Sequence, residues 1–279
     1  MKKQKEIFDI ISLECSKKTT KVYSTSFSLA IKLLSKEYQN AIYSIYGFVR
    51  LADEIVDSFH DYDKPKLLNE LRYSTIDALE KNISINPIIN SFQNTVKRYS
   101  IEWALIESFL ESMEYDLTNQ NCNEQSYKKY IQGSAEAVGL MCLQIFTHNK
   151  KGEYQKLKQY AESLGSAFQK INFLRDMNED YNGLNRVYFP NLDITKFNNA
   201  EKKIIEDDIA KDFADGLIGI KMLDKYAQKG VYLAYKYYIS LFRKIQKMDA
   251  KKIMKERIRI SNIRKAIILI SSQIELKIK

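Results

Sequence analysis

Glycine and proline are scarce in this chain, nine and three among 279 residues. Turn-rich sandwiches and barrels need far more of both, so the shortage excludes those classes and favours long uninterrupted helices. Cysteine is nearly absent too. Cys15, Cys122 and Cys142 are odd in number and widely spaced, with no Cys-x-x-Cys pair. That excludes a disulfide framework and a zinc site, fits a reducing compartment, and leaves each thiol as an apolar filler. Two histidines, His60 and His148, are too few for a His-based metal site. No apolar run approaches the roughly 18–20 residues that span a bilayer, and Met1–Ile7 lacks the apolar stretch of a signal peptide. The expected location is cytoplasmic, with at most peripheral contact at the inner face of a membrane.

What is abundant is charge and helical pattern. Lysine and arginine number 44 against 35 acidic residues, a net charge of +9. Much of the excess sits at the two ends, in Lys2–Lys5 with Lys17, Lys18 and Lys21, and in 244–279. Without an RGG tract, a zinc finger or a Gly-rich loop, these read as solvated basic faces, and no nucleic-acid partner is expected. Attraction to anionic lipid or to diphosphates fits the charge equally well.

Helical periodicity predicts helices near 3–20, 36–59, 64–82, 87–99, 101–118, 124–149, 152–181, 199–225, 229–247 and 250–277. Pro65 and Pro87 fit first-turn positions, and Asn86 and Ser100 fit N-caps. The stretch 183–198 is the one long loop. No repeat or composition shift divides the chain, so a single all-α domain over 1–279 is expected.

Two helices carry charge where none belongs. Residues 41–59 are apolar nearly all round, yet Tyr46, Arg50, Asp53 and Asp57 fall at spacings of 4, 3 and 4, on one stripe. In residues 161–181, Gln169, Asn172, Asp176 and Asp180 repeat the pattern at 3, 4 and 4. Charges on a buried helix are costly unless paired, hydrated in a cavity or bound to a cation. Chance predicts about one Asp-x-x-x-Asp pair in a chain of this composition; four occur. Asp57/Asp61 and Asp208/Asp212, at a helix end and in a charged solvated stretch, are the expected decoys.

Carboxylates on facing helices suit Mg²⁺, which shares its shell with water and substrate phosphates. Two or three such ions with a diphosphate would balance four aspartates. Arg50, Arg175, Arg186 and Tyr188 are natural contacts for a departing diphosphate. The carbocation left behind needs a dry, aromatic pocket, which 19 Tyr and 13 Phe can line.

At these residues the sequence resembles the squalene/phytoene synthase family of trans-isoprenyl diphosphate synthases. The matching segments are YSTSFSLAIKLL (23–34), YGFVRLADEIVD (46–57), YIQGSAEAVGLMCLQIF (130–146), LGSAFQKINFLRDMNEDYNGLNRVYFP (164–190) and RIRIS (257–261). The resemblance implies an isoprenoid-synthase helical bundle around a central catalytic cavity. It implies Mg²⁺ ligation by Asp53, Asp57, Asp176 and Asp180, and diphosphate contacts from Ser24, Ser26, Arg50, Gln169, Asn172, Arg175, Arg186, Tyr188, Tyr238 and Arg257. Tyr46 and Tyr130 would stand near the reacting carbons, with Phe27 lining the cleft. The chain departs from the family pattern at Glu136 and Asn185, where many members have Gly. The first is expected to alter the cleft wall and the second to stiffen a flap.

The wording of 133–143 and 186–194 is most similar to bacterial phytoene synthases. The implied reaction is head-to-head condensation of two geranylgeranyl diphosphates to phytoene, through a cyclopropyl diphosphate, in carotenoid biosynthesis. NADPH is not expected, since no dinucleotide Gly motif is present. The alternatives are a squalene or dehydrosqualene synthase using farnesyl diphosphate, and a catalytically inactive scaffold relative, which would lack the aspartates. The basic C-terminal helix has two open roles: packing on the core, or peripheral membrane contact.

Overall fold

A computed structural model describes residues 2–118, 123–184 and 186–275; Cys122 and Asn185 lie outside the described residues. The fold is all-helical. In chain order the helices are α1 (Lys2–Tyr23), α2 (Thr25–Ile31), α3 (Lys36–Asp57), α4 (Lys64–Lys81), α5 (Pro87–Tyr99), α6 (Trp103–Thr118) and α7 (Glu124–Ile131). There follow α8 (Ala137–Phe146), α9 (Glu153–Leu184), α10 (Asn199–Met222), α11 (Lys225–Gln246), α12 (Ala250–Ile253) and α13 (Asn262–Glu275). A π-helical turn, Gln132–Glu136, joins α7 to α8. No helix among the described residues is long and apolar enough to cross a membrane.

Local chemistry sets most boundaries. Asp63 accepts from the Lys66 N–H with Pro65 in the first turn of α4, and Asn86 accepts from the Ile88 and Ile89 N–H groups ahead of α5. Ser100 corrects the expectation: it closes α5 in the left-handed conformation, φ 53°, instead of opening α6. The short α2, not foreseen, is opened by Ser24, whose Oγ accepts from the Phe27 N–H at 3.1 Å. The expected helix over 250–277 is broken between α12 and α13. There Arg257, Ile258, Arg259 and Ile260 alternate with strand-like period. Ile258 is buried, and Arg257 reaches back to α9, so tertiary contacts override helical preference.

Two apolar cores flank the middle of the molecule. One gathers around α3, α5 and α6, where the Phe48 and Phe92 rings stack at 4.0 Å. The other gathers around α9, α10 and α11. Phe27 and Val231 pack against both. Helices α9 and α10 are also tied by a buried lysine, since Lys170 pairs with Asp208 and, at 2.7 Å, with Asp212. That is the role of one decoy pair, and Asp212 is largely covered rather than solvated.

The π turn approaches its neighbours closely at two glycines. A Cβ on Gly133 would stand 2.3 Å from the Ser108 carbonyl oxygen, and one on Gly165 would stand 2.7 Å from that of Ala135. Both obstacles are backbone, so Gly165→Ala should cost about 1–3 kcal/mol in urea unfolding. A loss under about 0.5 kcal/mol, an ordinary surface effect, would mean that this helix crossing relaxes freely.

Candidate active site

The two cores leave between them a cavity of about 1300 Å³, larger than a pocket for one small ligand, typically about 300–1,000 Å³. All seventeen residues singled out above line it. From α3 come Tyr46, Arg50, Asp53 and Asp57; from α9 come Gln169, Asn172, Arg175, Asp176 and Asp180. Ser24, Ser26, Phe27, Tyr130, Tyr238 and Arg257 enter from the surrounding elements, and Arg186 and Tyr188 from the loop after α9. The polar stripes occupy the C-terminal halves of α3 and α9. Toward the other ends of these helices the wall turns apolar, with Ile42, Ile45, Leu157 and Leu164.

The charged end is tightly coupled. Burial, then the neighbouring Asp57, pushes the Asp53 carboxyl from 3.8 up to about 7, against the pull of Arg50. Burial, then Asp176 and Asp57, does the same to Asp180, also to about 7. The α3 and α9 carboxylates therefore feel one another across the cavity. Arginines answer them. Arg186 Nη1 donates to Asp57 Oδ1 at 2.9 Å, and Asp176 Oδ1 accepts from the Nε atoms of Arg175 and Arg257, each at 2.9 Å. Arg50 pairs with Glu54 and lies over the Tyr23 ring at 4.2 Å, leaving its Nε buried without a partner. Deeper in, Tyr238 donates to Asn172 Oδ1 at 3.2 Å and stacks on Phe168 at 3.9 Å, beside Phe27.

Sequence reasoning missed Asp116. It lies at the end of α6 and lines the same cavity. Its two oxygens accept from the Tyr130 hydroxyl at 2.7 Å and the Tyr188 hydroxyl at 3.0 Å. Burial pushes its carboxyl up to about 6, with Arg186 pulling the other way. Burial and Asp116 hold the Tyr130 phenol well above its ordinary value, so it stays a donor. The signal was there to read. Ile106, Phe109 and Met113 are the buried stripe of α6, and Asp116 continues it at the next step of three, a charge on an apolar face like Asp53.

Asp116→Asn keeps the size but can accept from only one of the two phenols with its carbonyl oxygen. Turnover should fall about 10–100-fold, the scale of a misaligned catalytic wall, with the circular dichroism spectrum unchanged. Rates within twofold of wild type would show that the two rings are held by packing alone.

Glu136 does not line the cavity, which corrects the expected effect on the cleft wall. Burial, then Glu162 and Asp212, pushes its carboxyl up to about 7, with Lys170 opposing. His60, just beyond α3, stands at the cavity rim with its Nδ1 3.1 Å from Lys64 Nζ. Burial pushes the Cys142 thiol up to about 12, consistent with an unreactive filler.

The donor set suits a hard cation: carboxylate oxygens on two facing helices, with no sulfur or imidazole among them. Among the described residues no three Asp, Glu, His or Cys side chains converge closely enough to hold a metal ion by themselves. Phosphate oxygens and water would have to complete any shell, and the unpartnered Arg50 Nε is a ready donor to such an anion.

The fold is that of the helical isoprenoid synthases. The sequence matches the squalene/phytoene synthase family over residues 20–264, and the chain belongs to that family, whose members are prenyltransferases. It is 27% identical over 198 residues to a 4,4'-diapophytoene synthase of Staphylococcus haemolyticus, covering 69% of this chain and 65% of that one. It is 25% identical over 204 residues to a phytoene synthase of Mycobacterium bovis, covering 71% and 63%. The chain thus matches slightly under two thirds of the length of these relatives. Among solved structures, a dehydrosqualene synthase in complex with ligand superposes with a TM-score of 0.81 at 21% identity, over 97% of this chain and 98% of that one.

Proposed function

We propose that this chain catalyses the head-to-head condensation of two molecules of geranylgeranyl diphosphate to phytoene. The observation that carries this reading is the meeting of two aspartate stripes, from α3 and α9, at one end of a cavity whose other end is apolar. Diphosphates belong at the first end and prenyl tails at the second. In this reading Asp53, Asp57, Asp176 and Asp180 hold Mg²⁺, two or three ions shared with the diphosphates. When bound, Mg²⁺ withdraws charge from the leaving oxygens.

Every other role falls to side chains. Arg50, Arg175, Arg186, Arg257 and Tyr188, with Ser24, Ser26, Gln169 and Asn172, bind and orient the diphosphates. The C1–O bond of the first substrate breaks, and the resulting cation meets the double bond of the second. Loss of a proton closes a cyclopropane. Departure of the second diphosphate, rearrangement and loss of a second proton give the linear product. Two diphosphates and two protons leave, and no reductant is consumed. Phe27, Tyr46, Phe168, Tyr130 and Tyr238 offer their faces to the cations and exclude water. Both aspartate pairs and their arginines are present in this chain, which argues against an inactive scaffold.

A second reading, condensation of farnesyl diphosphate, is favoured by the name of the Staphylococcus relative. Incubation with Mg²⁺ and either diphosphate, with and without NADPH, separates the two. Phytoene from the twenty-carbon substrate alone supports the first reading, a thirty-carbon product from farnesyl diphosphate the second, and no hydrocarbon from either defeats both.

A further inference from the structure

Helix α13 is packed with its more apolar stripe outward. Its inner face carries Lys265, Ile268, Leu269, Ser272 and Glu275. Lys265 Nζ donates to Thr25 Oγ1 at 2.6 Å, and Glu275 accepts from Lys236 at 2.9 Å and from the Tyr232 hydroxyl at 2.5 Å. Ile268 and Leu269 fill the seat against Leu233 and Tyr237. The outer face holds Ile263, Ile267, Ile270 and Ile274, exposed to 77, 50, 63 and 53%. Their spacing of 4, 3 and 4 makes one continuous stripe, about 16 Å long at 1.5 Å per residue. A surface helix ordinarily turns such a stripe to the core, and a contiguous exposed one marks a contact surface.

We propose that this stripe docks the protein on an anionic lipid bilayer, with α13 lying in the plane of the interface and the cavity mouth beside it. Three observations select this occupant. Arg259, Ile260, Asn262 and Lys265, which lead into and open α13, also line the cavity, as do Tyr23 and Thr25. Val22 and Tyr23 are exposed apolar residues at the end of α1, next to the Thr25 that Lys265 of α13 contacts, and Tyr23 itself lines the cavity. Lys18 and Lys21 at that end of α1, Arg259 ahead of α13 and Arg264 in its first turn are exposed, the basic surround that holds an amphipathic helix on anionic headgroups.

A second copy of the chain fits less well. Four isoleucines along about 16 Å fall short of the roughly 800 Å² per partner that a stable dimer buries. The preference for lipid over another apolar partner rests on the prenyl substrates and hydrocarbon product proposed above; the exposed stripe does not.

Co-sedimentation of the full chain with phosphatidylcholine vesicles, with and without phosphatidylglycerol, tests the proposal. Binding should require the anionic lipid and weaken in high salt. The double variant Ile267→Asp, Ile270→Asp should cut the bound fraction about tenfold or more, with helical content and diphosphate release in detergent unchanged, because both side chains are exposed and neither lines the cavity. Arg264→Glu should reduce the preference for anionic vesicles without altering the fold. Absence of vesicle binding, or equal binding by the double variant, overturns the proposal. So does a concentration-dependent dimer that the double variant abolishes. Vesicle binding by a chain that releases no diphosphate would defeat the proposed reaction and leave the docking surface standing.

Discussion

Asp53→Asn and Asp176→Asn should each lower turnover about 10³-fold, roughly the 4 kcal/mol that a cation supplies to a departing oxyanion, while the fold survives. For Asp53→Asn the metal-free protein should also become more stable. The Asp53 carboxyl binds its proton more tightly in the folded chain, where its pKa is pushed from 3.8 up to about 7. As pH rises through that window the unfolded chain releases this proton while the folded chain retains it, so stability falls, and above about 7 the loss levels off. Removing the carboxyl abolishes that loss. The gain should be about 2–4 °C in Tm at pH 8 in EDTA, water in the cavity tempering the cost of the charge, and should shrink toward pH 4. Mg²⁺ with inorganic diphosphate should raise the Tm of wild type and leave both variants unmoved. Turnover within tenfold of wild type, or a fall in Tm for Asp53→Asn, would contradict this assignment.

Arg186→Ala should produce the second largest loss, about 10²–10³-fold in turnover, together with about 1–3 kcal/mol of stability measured by urea unfolding. This side chain is nearly covered and holds two parts of the site at once. Its Nη1 donates to Asp57 and lies 3.4 Å from the Tyr188 hydroxyl, which in turn donates to Asp116. Without it, Asp57, Asp116 and Asp180 lose a positive neighbour that now lowers the cost of ionising Asp116 and Asp180. Arg186→Lys should recover only part of the activity, because a single ammonium lacks the fork that spans the carboxylate and the phenol. A loss below tenfold in Arg186→Ala would place the loop after α9 outside the working site.

The polar stripes of α3 and α9 were legible in the sequence because a helix displays its period and a charge on an apolar helix is conspicuous. Asp116 carried the same sign on α6 but had no carboxylate partner four residues away, so no motif drew attention to it. Other features depend on contacts that no local pattern records. The break between α12 and α13 arises because Arg257 is drawn to Asp176 and Glu179 and Ile258 into the core. The π turn lies where the chain passes close to the backbone of α6 and α9, at Gly133 and Gly165. Ser100 carries the residue type of an N-cap, yet its backbone turns left-handed to close the preceding helix, a choice made by how α5 and α6 meet. The basic helix expected over 250–277 left core packing and membrane contact both open, because its sequence does not say which face of α13 is packed; the structure puts Ile268 and Leu269 inward and four isoleucines outward.

In the proposed reaction the α3 and α9 aspartates form one Mg²⁺–diphosphate site. Calorimetric titration of Mg²⁺ into the protein, with and without inorganic diphosphate, decides whether they do. Weak binding of Mg²⁺ alone, strong binding with diphosphate, and loss of the strong phase in both Asp53→Asn and Asp176→Asn are the predicted results. Strong binding that persists when either stripe is neutralised would contradict the claim, for the two helices would then not share a site.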